Sequence, residues 1–137
     1  MHTVVLDNEA IQSLLSPAHP KHRRAVTLIQ VVTTRARRST EGRVVVPTAV
    51  RVEAGWDRTT AAAAVVNRLG ITDVALAGAE ADTAAAIRSA VGVSVADAHI
   101  GACARAAAAL GPVTILTSDP GDMAVVVGTA KVTIARL

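Results

Sequence analysis

Short runs of β-branched residues alternate with alanine-rich stretches of helical period, and this alternation constrains the chain more than any other feature. Residues 4–6, 43–47, 71–76 and 113–116 read as buried strands, with a last strand over 131–135. Between them, helical spacing predicts helices over 9–15, from Pro20 through Ala25, Leu28, Ile29 and Val32, through Ala49, Val50, Glu53 and Ala54, and over 59–69, 78–91 and 94–110, with a further short helix before the last strand. Gly70 and Gly92 stand where helices stop, and Pro20 suits a first helical turn. Strands alternating with helices imply parallel strands joined by right-handed crossovers. The expected fold is therefore an α/β/α three-layer sandwich with a mainly parallel central sheet, built as one domain over residues 1–137.

Composition supports that architecture. Trp56 is the sole aromatic residue, so the core must be made of Val, Ala, Leu and Ile, which suits helices laid on a parallel sheet. The single cysteine, Cys103, excludes an intrachain disulfide and reads as a small core residue. No signal-peptide pattern or uncharged membrane-length stretch is present, so a cytoplasmic protein without a membrane partner is expected. The net charge of +3 favours a polyanionic partner. Much of it is grouped, in Lys21-His22-Arg23-Arg24 and again in Arg35, Arg37 and Arg38. Two solvated helix faces or a nucleic-acid-binding rim would both account for this grouping.

In parallel sheets, functional groups gather at the carboxyl ends of strands. Asp7 directly follows the first strand and Asp119 follows the fourth, so both belong to one sheet edge. Asp97 falls in the first turn of its helix, and Glu53 stands on a stripe with Ala49 and Val50 where an apolar residue is expected. Four carboxylates at one edge suit Mg²⁺ or Mn²⁺, hard ions that can activate water and neutralise charge on a leaving oxygen. Each acid taken singly has a structural explanation as well. Ser94 with Asp97, and Asp119 with Asp122, fit helix-capping patterns; Glu53 could pair with Arg51 or Arg58; Asp7 could simply end a strand.

The order of these motifs resembles a PIN domain over nearly the whole chain. It comprises strand-Asp7-helix, Glu53 on a helix after a valine-rich strand and Pro47, Asp97 within Val95-Ala96-Asp97-Ala98-His99, and the run Thr117-Ser118-Asp119-Pro120-Gly121-Asp122. The last two motifs are most similar to VapC-type toxins of actinobacteria. The resemblance implies an endoribonuclease that hydrolyses RNA phosphodiester bonds with Mg²⁺ or Mn²⁺, forms a homodimer and is inhibited by a cognate antitoxin. It further implies that Asp7 and Asp97 are the principal metal ligands, completed by Glu53 and Asp119, while Thr117 or Ser118 positions a water or phosphate oxygen. Asp122 would be a supporting acid or a cap. Asn8-Glu9 departs from the family, where a small hydroxyl residue often follows the first aspartate.

RNA would then be held mainly through its backbone, with Arg23, Arg24, Arg37 and Arg38 as the expected rim, because one tryptophan offers little base stacking. Trp56 is expected in a helix-packing or dimer surface, and His99 in a packing or surface role. Two other readings compete with the nuclease. In an aspartate-based phosphatase Asp7 would be the nucleophile and Glu9 would imitate the acid two residues on. A catalytically silent PIN fold would only bind RNA or an antitoxin. A receiver-like signalling domain is disfavoured, since its acidic pair and late lysine are not evident.

Overall fold

The computed structural model describes residues 1–39 and 42–137, with the backbone alone for residues 36–39. Its sheet has the strands β1 (His2–Leu6), β2 (Gly42–Pro47), β3 (Ile71–Val74), β4 (Val113–Thr117) and β5 (Thr133–Arg136) in the order β3-β2-β1-β4-β5. All pairings are parallel. The three central strands carry the core, with Val4, Val5, Leu6, Val44, Val45, Val46, Val113, Ile115 and Leu116 all buried. Such unbroken apolar runs are what a strand covered on both faces requires.

The connecting helices are α1 (Asn8–Leu15), α2 (His22–Ser39), α3 (Thr48–Ala54), α4 (Ala64–Asn67), α5 (Gly78–Val91), α6 (Val95–Ala108) and α7 (Pro120–Val127). Right-handed crossovers put α1 to α4 on one side of the sheet, because β1, β2 and β3 step one way across it. The step back to β4 and on to β5 puts α5, α6 and α7 on the other, which confirms the expected α/β layering. Helix α6 is the most enclosed of these, burying Ala96, Ala98, His99, Ile100, Gly101, Ala102, Cys103, Ala104 and Ala107. Its small residues permit close approach. A Cβ on Gly101 would meet the Val126 carbonyl oxygen at 2.8 Å.

The reversal of chain direction falls between β1 and β4. Their crossovers leave in opposite directions, so a crevice opens beyond their carboxyl ends, the place where such sheets bind ligands. Leu6 and Leu116 are register partners, which makes Asp7 and Thr117 the next residues on either side of that crevice.

Several sequence expectations need correction. The single helix expected over 59–69 is a short 3-10 turn, Ala61–Ala63, followed by the brief α4. Here the Asp57 carboxylate accepts from both the Thr59 N–H at 2.9 Å and the Thr59 hydroxyl at 2.7 Å, a local arrangement that competes with helix initiation. The third strand stops at Val74, and the last is shifted to Thr133–Arg136. Both are edge strands whose faces are partly open, so their apolar signal is weak.

Cys103 and His99 lie in the core, as a small apolar role and a packing role require. Burial pushes the Cys103 thiol up to about 11, leaving it protonated at neutral pH. Trp56 is buried within the subunit, with the guanidinium groups of Arg51 and Arg58 over its ring, 5.4 and 4.2 Å from the centre. Both arginines also bind Asp73, at 2.7 and 2.9 Å. Among the described residues no helix is long and apolar enough to cross a membrane.

Candidate functional site

Asp7 is the centre of the crevice. It caps α1, with Oδ1 accepting from the Ala10 N–H at 2.8 Å, while Oδ2 accepts from the Thr117 hydroxyl at 2.5 Å. The same hydroxyl oxygen accepts from the Asp119 N–H at 2.9 Å. Thr117 is fully buried and links the carboxyl ends of β1 and β4 through one oxygen atom. Burial raises the Asp7 carboxyl above its ordinary value; bonds from Thr117, Ala10 and the Ser118 backbone work against that rise, and nearby Glu9 adds to it.

Asp97 enters from α6. Ser94 caps that helix, accepting the Asp97 N–H at 3.1 Å, and this orients the first turn. The Asp97 carboxyl is raised first by desolvation and then by Glu53, Asp122 and Asp7, with a bond to Ser94 opposing. One acid therefore senses three others, from α3, from α7 and from the end of β1. Asp119 caps α7 by accepting the Asp122 N–H at 3.3 Å, and it raises Asp122 through their hydrogen bond and charge. The capping roles read from the sequence are real, and the same residues contribute to the acidic edge.

Glu53 requires a correction. It is exposed, whereas Val50 supplies the buried contact of α3, so the apolar stripe inferred through Glu53 does not continue to it. Arg51 and Arg58 are not its partners, since both bind Asp73. Glu53 instead accepts from the Asn8 side-chain amide at 3.5 Å. The Asn8 side-chain oxygen, Oδ1, is buried and has no hydrogen-bond partner among the described residues. In the sequence Asn8 stands out only as a departure from a family pattern, and one-dimensional spacing across 45 residues gives no means of finding its bond to Glu53.

At the same sheet edge, the Lys21 ammonium donates to the Ser118 hydroxyl at 3.1 Å. Glu9 accepts from or pairs with His19 at 3.0 Å, and the His19 ring accepts the Lys21 N–H at 3.0 Å. Lys21 was visible in the sequence only as one member of a basic run. Arg23 and Arg24 are exposed at the start of α2. The side chains of Arg37 and Arg38 lie outside the described residues.

The donor set fits a hard divalent ion in its chemistry: carboxylate oxygens that repel one another, and an unpartnered amide oxygen at their side. Among the described residues, no three acidic, histidine or cysteine side chains converge closely enough to cage an ion unaided. Mg²⁺ does not ask for such a cage, because it is commonly held by one or two carboxylates together with water and substrate phosphate.

The fold and edge define a class: a parallel α/β sandwich with acidic groups at its topological switch point. Two solved structures share that fold across almost their full length. VapBC2 from Rickettsia felis bound to a DNA fragment from their promoter superposes with a TM-score of 0.62, at 9% identity, covering 98% of each chain. FitAB bound to an IR36 DNA fragment gives 0.58 at 18% identity, covering 97% of this chain and 94% of the other. No family model matches the sequence, and no curated protein matches it.

Proposed function

We propose that this protein is a metal-dependent endoribonuclease and the toxin of a toxin–antitoxin pair. The observation that carries the reading is that Asp97 feels the charges of Asp7, Glu53 and Asp122, with Asp119 bonded to Asp122, beyond the carboxyl ends of β1 and β4. The resemblance to VapC-type toxins and the shared fold with VapBC2 and FitAB support it.

A bound Mg²⁺ or Mn²⁺ would supply water activation and charge neutralisation at the phosphodiester. Asp7 and Asp97 would hold it, with Glu53 and Asp119 reaching it directly or through water. Thr117 keeps the Asp7 carboxylate oriented, and Asn8 steadies Glu53. Ser118 presents a hydroxyl at the same edge for a water or phosphate oxygen. The aspartate-phosphatase alternative gains no support, because Glu9 is engaged by His19.

An RNA substrate, homodimerisation and an antitoxin partner belong to the same reading. A groove of about 440 Å³, lined by Thr48, Ala49, Val52, Leu76, Val95 and Ala96, adjoins Glu53 and suits an apolar peptide segment of such a partner. The test is cleavage of a structured-RNA pool, tRNA included, by purified protein with Mg²⁺, with Mn²⁺ and with EDTA, beside Asp7→Asn. Metal-dependent cuts that vanish in Asp7→Asn are expected. Cleavage that survives EDTA or the substitution would overturn the mechanism, and binding without cleavage would favour a silent PIN fold.

A further inference from the structure

We propose that Lys21 is the residue that grips the phosphate to be cleaved, its ammonium reaching a non-bridging oxygen at the same sheet edge. This inference rests on the nuclease reading and adds a substrate contact to it.

Three observations carry it. The first is position: Lys21 lies 97 residues from Ser118 in sequence, yet its ammonium donates to the Ser118 hydroxyl at 3.1 Å. The Ser118 backbone in turn bonds to Asp7, so the cation is one residue removed from the central carboxylate.

The second is availability. Among the described residues Lys21 forms no ion pair, and its side-chain partner is a neutral hydroxyl. An ammonium has three donors, so two remain for an incoming anion.

The third is that the segment carrying Lys21 is tied down. The His19 N–H donates to the Ser16 carbonyl at 3.0 Å, the His22 N–H to the His19 carbonyl at 3.0 Å, and the His22 ring bonds the Ser13 carbonyl at 2.9 Å. Glu9 orients His19, whose other ring nitrogen receives the Lys21 N–H. A lysine on a pinned backbone, tethered beside an acidic site but not neutralised by it, suits an anion that arrives with the substrate. A metal ion would draw the phosphate from one side and Lys21 from the other. The exposed Arg23 and Arg24 have no such tether among the contacts described and suit general backbone attraction instead.

The experiment uses a short synthetic RNA spanning a cut mapped with the wild-type protein, and the same RNA with one methylphosphonate at that linkage, which removes the phosphate charge. Binding is measured to full-length Asp7→Asn protein in Mg²⁺, with Lys21 intact, Lys21→Met or Lys21→Arg. Lys21→Met is expected to weaken binding about tenfold and to lower the slope of log affinity against log salt by about one. Lys21→Arg should keep most of the affinity. The methylphosphonate penalty should be about tenfold smaller in Lys21→Met than with Lys21 present. An unchanged penalty, or unchanged affinity and salt slope, overturns the proposal, as does a lowered melting temperature with the penalty intact, which marks a structural role. If the wild-type protein cuts no RNA, the nuclease reading itself falls, and the phosphate assignment falls with it.

Discussion

Thr117 shows how much of the site depends on one hydroxyl. It donates to Asp7 and accepts from the Asp119 backbone while fully buried, so Thr117→Val would deprive both neighbours at nearly constant shape. A loss of about 1–3 kcal/mol is expected in denaturant unfolding, with Thr117→Ser recovering most of it. Asp97 should behave in the opposite way. Its folded carboxyl holds a proton more tightly than the unfolded one, so its favourable contribution is complete below the ordinary value of 3.8 and is lost as pH rises through the elevated folded value. Asp97→Asn should therefore stabilise EDTA-treated protein at neutral pH by less than about 1 kcal/mol, because solvent screens a group that is only partly buried, and the gain in melting temperature should be much smaller in acid. At residue scale Asp7, Asp119 and Asp97 could be placed from the sequence, because two follow strands and one lies in the first turn of a helix, whereas the stripe inferred for Glu53 was not what the helix shows. The tethered Lys21 and the Asn8 amide could not be placed in this way, since their partners come from distant elements.

Among the elements, the buried ones were the most legible. Central strands read as short, largely β-branched apolar runs, whereas the edges of β3 and β5 and the broken segment after Asp57 did not follow periodicity. Glu53 illustrates the limit: helical spacing correctly made α3 a helix, but a seven-residue helix is too short for its stripe to tell which side faces the core. Close packing of α6 against α7 is equally invisible to propensity. Gly101→Ala should favour the helix by about 1 kcal/mol in isolation. Here the added methyl group would press on Val126 at 2.8 and 2.9 Å and on Ile87 at 2.9 Å. Overpacking of this kind costs about 1–3 kcal/mol, so thermal unfolding should show a net loss of stability. An unchanged or raised melting temperature would show that α7 can move aside.

At the scale of the whole molecule, an acidic crevice within a basic chain separates two tasks. Under the proposed function, the net charge of +3 would draw in a polyanion, and the carboxylates would need a cation before a phosphate could settle among them. Replacing Arg23 and Arg24 by Ala should weaken RNA affinity similarly across sequences and reduce its salt slope by about two, leaving the cleavage position unchanged. The strand order alone locates the crevice, and the order follows from the alternating pattern only once the direction of each crossover is known. The measurement that tests the central claim most directly is Mn²⁺ binding, followed by electron paramagnetic resonance, for the wild type and for Asp7→Asn, Asp97→Asn, Glu53→Gln and Asp119→Asn. Saturable binding is expected, lost or severely weakened in the first two variants and reduced in the others. Binding that none of the four substitutions alters, or no binding with or without RNA, would contradict a divalent-ion site at this edge.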